Sequence, residues 1–187
     1  MFRNSISQDR RSRHFNLVCD PHPTSKKEVV CEPLSTCDTA FGGFRIVNTA
    51  PAPNFSLIVG TTPTNLTSNN SDIFIRTTSF SIDYIKPTVT QAATLVNKRA
   101  GKFMVNFDAN VTSLLGTGRL YATIYVNGVA VQGFDNFVDI VPGVNENFSI
   151  NGHLSLKVKS MVEVKFHCTP GSIKVGFNEL SMNLNFV

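Results

Sequence analysis

The sequence predicts an all-β protein, an antiparallel jelly-roll sandwich with an extended N-terminal arm, and three observations carry that expectation. Beyond Asp72, apolar residues return at every second position in run after run, the period of a strand with one buried face. An Asn-Gly pair, Asn127-Gly128, stands between two such runs, and these residue types accept the positive φ of a type I′ hairpin turn. No ten-residue window has a helical period, and prolines and cations crowd the first fifty residues.

The chain has 187 residues, a single domain's worth with an arm. Residues 1–50 hold the basic run, the segment Cys19-Asp20-Pro21-His22-Pro23 and the turn Cys31-Glu32-Pro33; prolines at that density disfavour helix and central strand alike. They are expected to form the arm. From Phe44 the texture changes to short apolar pieces, Phe44-Arg45-Ile46-Val47 and Phe55-Ser56-Leu57-Ile58-Val59, separated by Pro51 and Pro53; residues 51–72 read as a linker with an edge strand, in which the polar stretch 61–72 is a loop.

Residues 73–187 are assigned to the jelly roll. Phe80, Ile82 and Tyr84 share a face, as do Phe103, Val105, Phe107, Ala109 and Val111. Leu120, Ala122, Ile124 and Val126 lead through Asn127-Gly128 into Val129-Ala130-Val131. Asn151-Gly152 reads as a second turn, before Leu154, Leu156 and Val158. Val162, Val164, Phe166 and Cys168 follow, then Ile173, Val175 and Phe177, and finally Leu180, Met182, Leu184 and Phe186. Eight to ten strands about ten residues apart are the pattern of a sandwich or jelly roll.

Composition gives this fold enough to bury, since 42% of residues are hydrophobic and the mean hydropathy is +0.02. Charged residues make up only 16%, against about 25% in an average soluble domain; abundant Asn, Ser and Thr make the surface polar without charge. The net charge of +4 lies in the arm: the first 27 residues hold Arg3, Arg10, Arg11, Arg13, Lys26 and Lys27 against Asp9 and Asp20, while the remaining 160 balance eleven cations with eleven carboxylates. Arg10, Arg11 and Arg13 are therefore the candidate anchoring residues, for an acidic surface or for nucleic acid. There is no apolar run long enough to span a bilayer, and charge occupies the place of a secretory leader. The expectation is a protein that does not act at a membrane.

Three of the four cysteines, Cys19, Cys31 and Cys37, lie in the arm, and only Cys168 lies later. Their spacings complete no zinc site. One arm disulfide with a free thiol, a bond to Cys168 or to a neighbouring subunit, and four reduced thiols remain open; the three arm cysteines are the candidate cross-links. Cys168, alternating with Val162, Val164 and Phe166, is expected to be a small buried hydrophobe.

Catalysis is not expected. His167 and Cys168 are adjacent, so on a strand they point to opposite faces and form no nucleophile–base pair. Asp83, Asp108 and Asp139 fall at outward positions, and no phosphate loop or nucleophile elbow occurs. No metal and no cofactor is expected. Five Asn-x-Ser/Thr sequons, at Asn54, Asn65, Asn69, Asn110 and Asn147, are only slightly above what this composition gives by chance. Large apolar residues also fall at outward positions: Ile85, Met104, Tyr121, Tyr125 and Met161. Such residues usually meet a partner, and Tyr121 and Tyr125 are the expected subunit contact.

The stretch Ala100-Gly101-Lys102-Phe103-Met104-Val105-Asn106-Phe107, followed by Leu120-Tyr121-Ala122-Thr123-Ile124-Tyr125-Val126-Asn127-Gly128, resembles the middle of the tumour-necrosis-factor and complement globular-head superfamily. Leu154 to Val164 is similar to that family's later pair of apolar strands, with Ser160-Met161 in place of its usual Gly-Asp turn, and Phe177 to Val187 resembles its terminal strand. The resemblance covers roughly residues 73–187. It implies a trimer with apolar flanks about a three-fold axis, an architecture used by virion spikes, phage head fibres, spore-surface proteins and signalling ligands. The expected function is that of a non-enzymatic structural or attachment protein on a virion surface, meeting siblings and other particle-surface proteins. The alternatives are a spore-surface or appendage subunit cross-linked through the arm cysteines, and a small-virus coat protein with its arm on nucleic acid. A secreted ligand ranks last, for want of an export signal.

Overall fold

The computed structural model describes residues 41–47, 55–70, 73–77 and 81–187, all within a compact unit spanning Thr39–Val187. Among the described residues there are twelve strands and no α-helix. They are β1 (Phe41–Ile46), β2 (Phe55–Val59), β3 (Thr64–Asn65), β4 (Phe74–Thr77), β5 (Ile82–Ile85), β6 (Thr94–Asn97), β7 (Gly101–Leu115), β8 (Gly118–Val126), β9 (Val129–Ile140), β10 (Asn145–Leu156), β11 (Met161–Thr169) and β12 (Ile173–Phe186).

Two antiparallel sheets face each other. The first runs β10-β7-β12-β1-β4 with β2 also on β12; the second runs β5-β6-β11-β8-β9 with β3 also on β11. From β7 onward consecutive strands cross from one sheet to the other, apart from the β8–β9 hairpin, which is the Greek-key winding of a jelly roll. The alternation expected from the sequence is the mechanism: Phe103, Val105, Phe107 and Val111 on β7 face Leu120, Ala122, Ile124, Val164 and Phe166 of the opposite sheet, all fully buried. Phe166 is central, its ring centroid lying 5.1 Å from Phe177, 6.1 Å from Phe107 and 6.4 Å from Phe148.

The core draws on residues from the segments read as arm and linker. β1 pairs with β12 and β4, and β2 pairs with β12. Phe44 and Phe55 are buried against Phe74, at 5.8 and 5.5 Å between centroids. These strands are too short for their alternation to outweigh nearby prolines in the sequence, whereas pairing with the long β12 supplies both their hydrogen bonds and their burial. The described part of the polar stretch, residues 61–70, is mostly loop, although it carries the short β3 and the fully buried Leu66.

Asn127 and Gly128 have φ of 52° and 79°, the values a type I′ turn requires. The second expected turn is corrected. Asn151 and Gly152 lie inside β10, paired to Asn106 and Val105, and a Cβ on Gly152 would sit 2.6 Å from the Phe134 ring. The glycine admits a side chain from β9, and with Asn136 Nδ2 donating to Ser149 O at 2.9 Å it closes that flank of the sandwich.

Candidate functional site

Register builds an aromatic and ionic ladder on the outer face of the β5-β6-β11-β8-β9 sheet. Arg119 lies opposite Asp139, Tyr121 opposite Phe137 on one side and His167 on the other, and Tyr125 opposite Glu163. Directly opposed side chains on one face meet. Arg119 Nε and Nη2 donate to the two Asp139 oxygens at 2.7 and 3.1 Å, and the guanidinium carbon lies 4.3 Å from the Phe137 centroid. Tyr121 stacks on His167 at 4.5 Å with rings 2° from parallel, and Phe137 leans on its other side at 5.6 Å. Lys165 Nζ lies 4.4 Å from the Tyr125 centroid.

The electrostatics follow from these contacts. The Arg119 hydrogen bonds hold the Asp139 carboxyl below the ordinary carboxylate value, and Asp139 in turn raises Arg119. Asp83 is lowered first by the backbone N–H of Tyr84, then by Lys98, whose Nζ is 3.2 Å away. Both ion pairs are exposed and contribute little to stability.

The outer face of the other sheet is a carpet of amides and hydroxyls. Asn178 Nδ2 donates to Asn110 Oδ1 at 2.7 Å, Thr112 Oγ1 at 2.9 Å and Asn145 Oδ1 at 3.1 Å, and Asn110 Nδ2 donates to Asn147 Oδ1 at 2.7 Å. Two sequon asparagines, Asn110 and Asn147, are thus tied into one network. It borders a shallow hollow of about 450 Å³ that Asp108, Ser149 and Glu179 also line.

Neither face presents a reacting constellation. Cys168 is fully buried, its thiol directed at Gly171 O at 3.4 Å and its ionisation pushed up by burial, while His167 is stacked on the outside. The two point apart, as their adjacency on a strand requires. Asp83, Asp108 and Asp139 are exposed. Among the described residues no three His, Cys, Asp or Glu side chains gather as a metal site.

The expected contact residues Tyr121 and Tyr125 lie on the outer face, each half-covered by its own chain. Met161 shares that sheet and is 43% exposed, but Met104, 38% exposed, belongs to the opposite one. These outward apolar residues therefore do not form one surface. Arg10, Arg11, Arg13, Cys19, Cys31 and Cys37 lie outside the described residues.

Two features of the ends of the sandwich were not found in the sequence. At the end where β7 finishes, Leu114, Leu115, Val141 and Val144 are 41%, 70%, 46% and 42% exposed. Gly143 N donates to Ser113 O at 3.4 Å, and Ser113 bridges to Pro142, which joins the end of β7 to the β9–β10 connection. Tyr121 and Val141 both line an adjoining hollow of about 430 Å³. At the end where β7 begins, Lys98, Arg99, Lys102, Lys157 and Lys159 come together. The only sequence signal for that cluster is that each of these cations lies within two residues of a strand end.

The strand order and register define the class: an antiparallel jelly-roll sandwich of two facing sheets. No protein-family model matches the sequence, and no curated protein matches it. Among solved structures the chain is similar to the crystal structure of murine APRIL at pH 5.0, at 9% identity and a TM-score of 0.49, over 79% of this chain and 99% of that one.

Proposed function

We propose that this protein is a non-enzymatic structural or attachment component of a virion surface, self-associating as a trimer through its jelly roll and anchored by its N-terminal segment. The observation that carries self-association is the apolar end formed by Leu114, Leu115, Val141 and Val144, with Phe137 a further 47% exposed beside Tyr121. Single exposed aliphatics are ordinary on a protein surface, but a group of them on a strand end and the connection joined to it marks a contact. Tyr121, which borders this end through the shared hollow, is the better placed of the two expected contact residues. The virion setting is supported by the low-charge, amide-rich outer face, which suits display in water without non-specific ionic binding.

Sedimentation equilibrium of the full chain at micromolar concentration, in reductant, tests the reading. The expected mass is about three times the 20.5 kDa of one chain, falling to one chain in Leu115→Asp/Val144→Asp. A monomeric unmodified protein overturns it. Non-reducing electrophoresis of native particles separates the spore-appendage reading, which requires a ladder that collapses on reduction.

A further inference from the structure

Residues 28–187 carry equal numbers of cations and carboxylates in sequence, yet the charges of the described residues are not spread evenly over the fold. Three connections meet at one end of the sandwich: the β6–β7 turn at 98–100, the β8–β9 turn at 127–128 and the β10–β11 turn at 157–160. Backbone hydrogen bonds lock them together. Lys159 N donates to Asn97 O at 2.7 Å, Asn97 N to Ser160 O at 3.1 Å, and Asn127 N to Met161 O at 2.8 Å. Met161 N donates to Asn127 Oδ1 at 2.9 Å. Pairing of Ser155 with Lys102 and Leu156 with Gly101 adds the first residues of β7 to the same rim.

The rim carries Lys98, Arg99, Lys102, Lys157 and Lys159, all exposed. Among the described residues, nearby carboxylates are few: Asp83 pairs with Lys98, and Glu163 accepts the Thr94 hydroxyl at 2.9 Å. Interleaved with the cations are exposed aliphatic tips, Val129 at 69%, Val158 at 53% and Met161 at 43%. Val158 stands between Lys157 and Lys159 at the point of the turn, and Lys159 holds a φ of 67°, where glycine or asparagine would be less strained.

We propose that this rim is a docking surface for an anionic lipid bilayer, with the cations over the headgroups and Val129, Val158 and Met161 entering the interface. Cations alone would suit any polyanion. The aliphatic tips discriminate, because a sulfated glycan or a phosphodiester backbone offers hydrated charge and nothing apolar, whereas the headgroup boundary takes both. This is surface binding, for which no spanning segment is needed. It is also independent of self-association, since β7, 15 residues long, places the rim and the apolar end at its two ends, roughly 45 Å apart at strand rise.

The test is co-sedimentation of the full chain with vesicles of phosphatidylcholine alone or with 30% phosphatidylglycerol (about a third anionic, as in many cytoplasmic leaflets). Binding is expected only to the anionic vesicles. Each cation neutralised should weaken partition about fivefold, so Lys157→Gln/Lys159→Gln loses roughly 25-fold. Lys174→Gln, paired to Leu115 at the other end of β7, should stay within about twofold of the unmodified protein. Val158→Asn, which leaves charge untouched, should also weaken vesicle binding. The proposal is overturned if Lys157→Gln/Lys159→Gln binds normally while Arg10→Gln/Arg11→Gln/Arg13→Gln does not, because the arm is then the contact. It is equally overturned if Val158→Asn binds normally and soluble heparin or duplex DNA competes fully, because the rim then reads a polyanion in solution. Sedimentation of each variant shows whether the oligomer is intact, so failure of this proposal is distinct from failure of the trimer reading.

Discussion

Replacing Tyr84 by Phe is expected to stabilise the protein, although it removes a polar group from a well-ordered strand. Tyr84 is 6% exposed, packed at 5.5 Å from Phe44, and its hydroxyl oxygen is buried without a hydrogen-bond partner among the described residues. A hydroxyl taken from water and left unpaired costs about 1–3 kcal/mol, while the ring packing is the same for Phe. The net gain should be about 1–2 kcal/mol, or about 2–8 °C in melting temperature for a unit of this size. The same burial raises the tyrosine's ionisation above its ordinary value of 10.0, which gives a second signature with a defined sign. Above pH 10 the unfolded chain releases this proton and the folded chain keeps it, so the folded state binds more protons and stability falls as pH rises. The Tyr84 contribution is therefore complete below about pH 10 and is lost as pH climbs from there through the folded value, at up to about 1.4 kcal/mol per pH unit. Urea titrations of both proteins between pH 8 and 11 measure it: the Phe variant should lead at pH 8 and lead by more at pH 11. A Phe variant less stable at pH 8, or a difference that does not change with pH, refutes the argument that the hydroxyl is buried and unpaired.

Two further substitutions test the core. Phe166→Ala should cost about 3–5 kcal/mol in urea unfolding, because its fully buried ring touches three others. Ile58→Ala, at a position 72% exposed, should cost under about 1 kcal/mol; equal losses would contradict the assignment of sheet faces. With Cys19, Cys31 and Cys37 replaced by Ser, the remaining Cys168 thiol should resist an aromatic disulfide reagent in the native protein and react fully in denaturant, and prompt native labelling would place it outside the core.

Much of the fold was legible because period-two alternation is a local signal. A strand with one buried face writes itself every second residue, so the long strands from β7 to β12, the buried Cys168 and the outward Asp83, Asp108 and Asp139 could be read without knowing any partner. The Asn127-Gly128 turn was legible because few residue pairs tolerate its backbone. Asn151-Gly152 misled for the same reason: glycine serves both a turn and a close approach, and only the Phe134 ring, brought from another strand, distinguishes them. β1 and β2 showed in the sequence only as short apolar pieces, because six and five residues carry too little pattern to reveal a partner, and β12 supplies their pairing from more than a hundred residues away.

For the surfaces the balance reverses. The sequence by itself determined which residues face outward and that the later chain is neutral in sum. Only the tertiary structure decided which outward residues are neighbours, since that depends on strand order and on where connections meet. Met104 and Tyr121 look equivalent in sequence and lie on opposite sheets. Lys98 and Lys159 look unrelated, yet they ride on turns joined through Asn97 and Ser160, while Leu115 and Val144 are brought together at the other end through Ser113 and Pro142. Alternation fixes the face of each strand over a few residues, whereas a patch is a property of long-range pairing, which for this fold spans most of the chain.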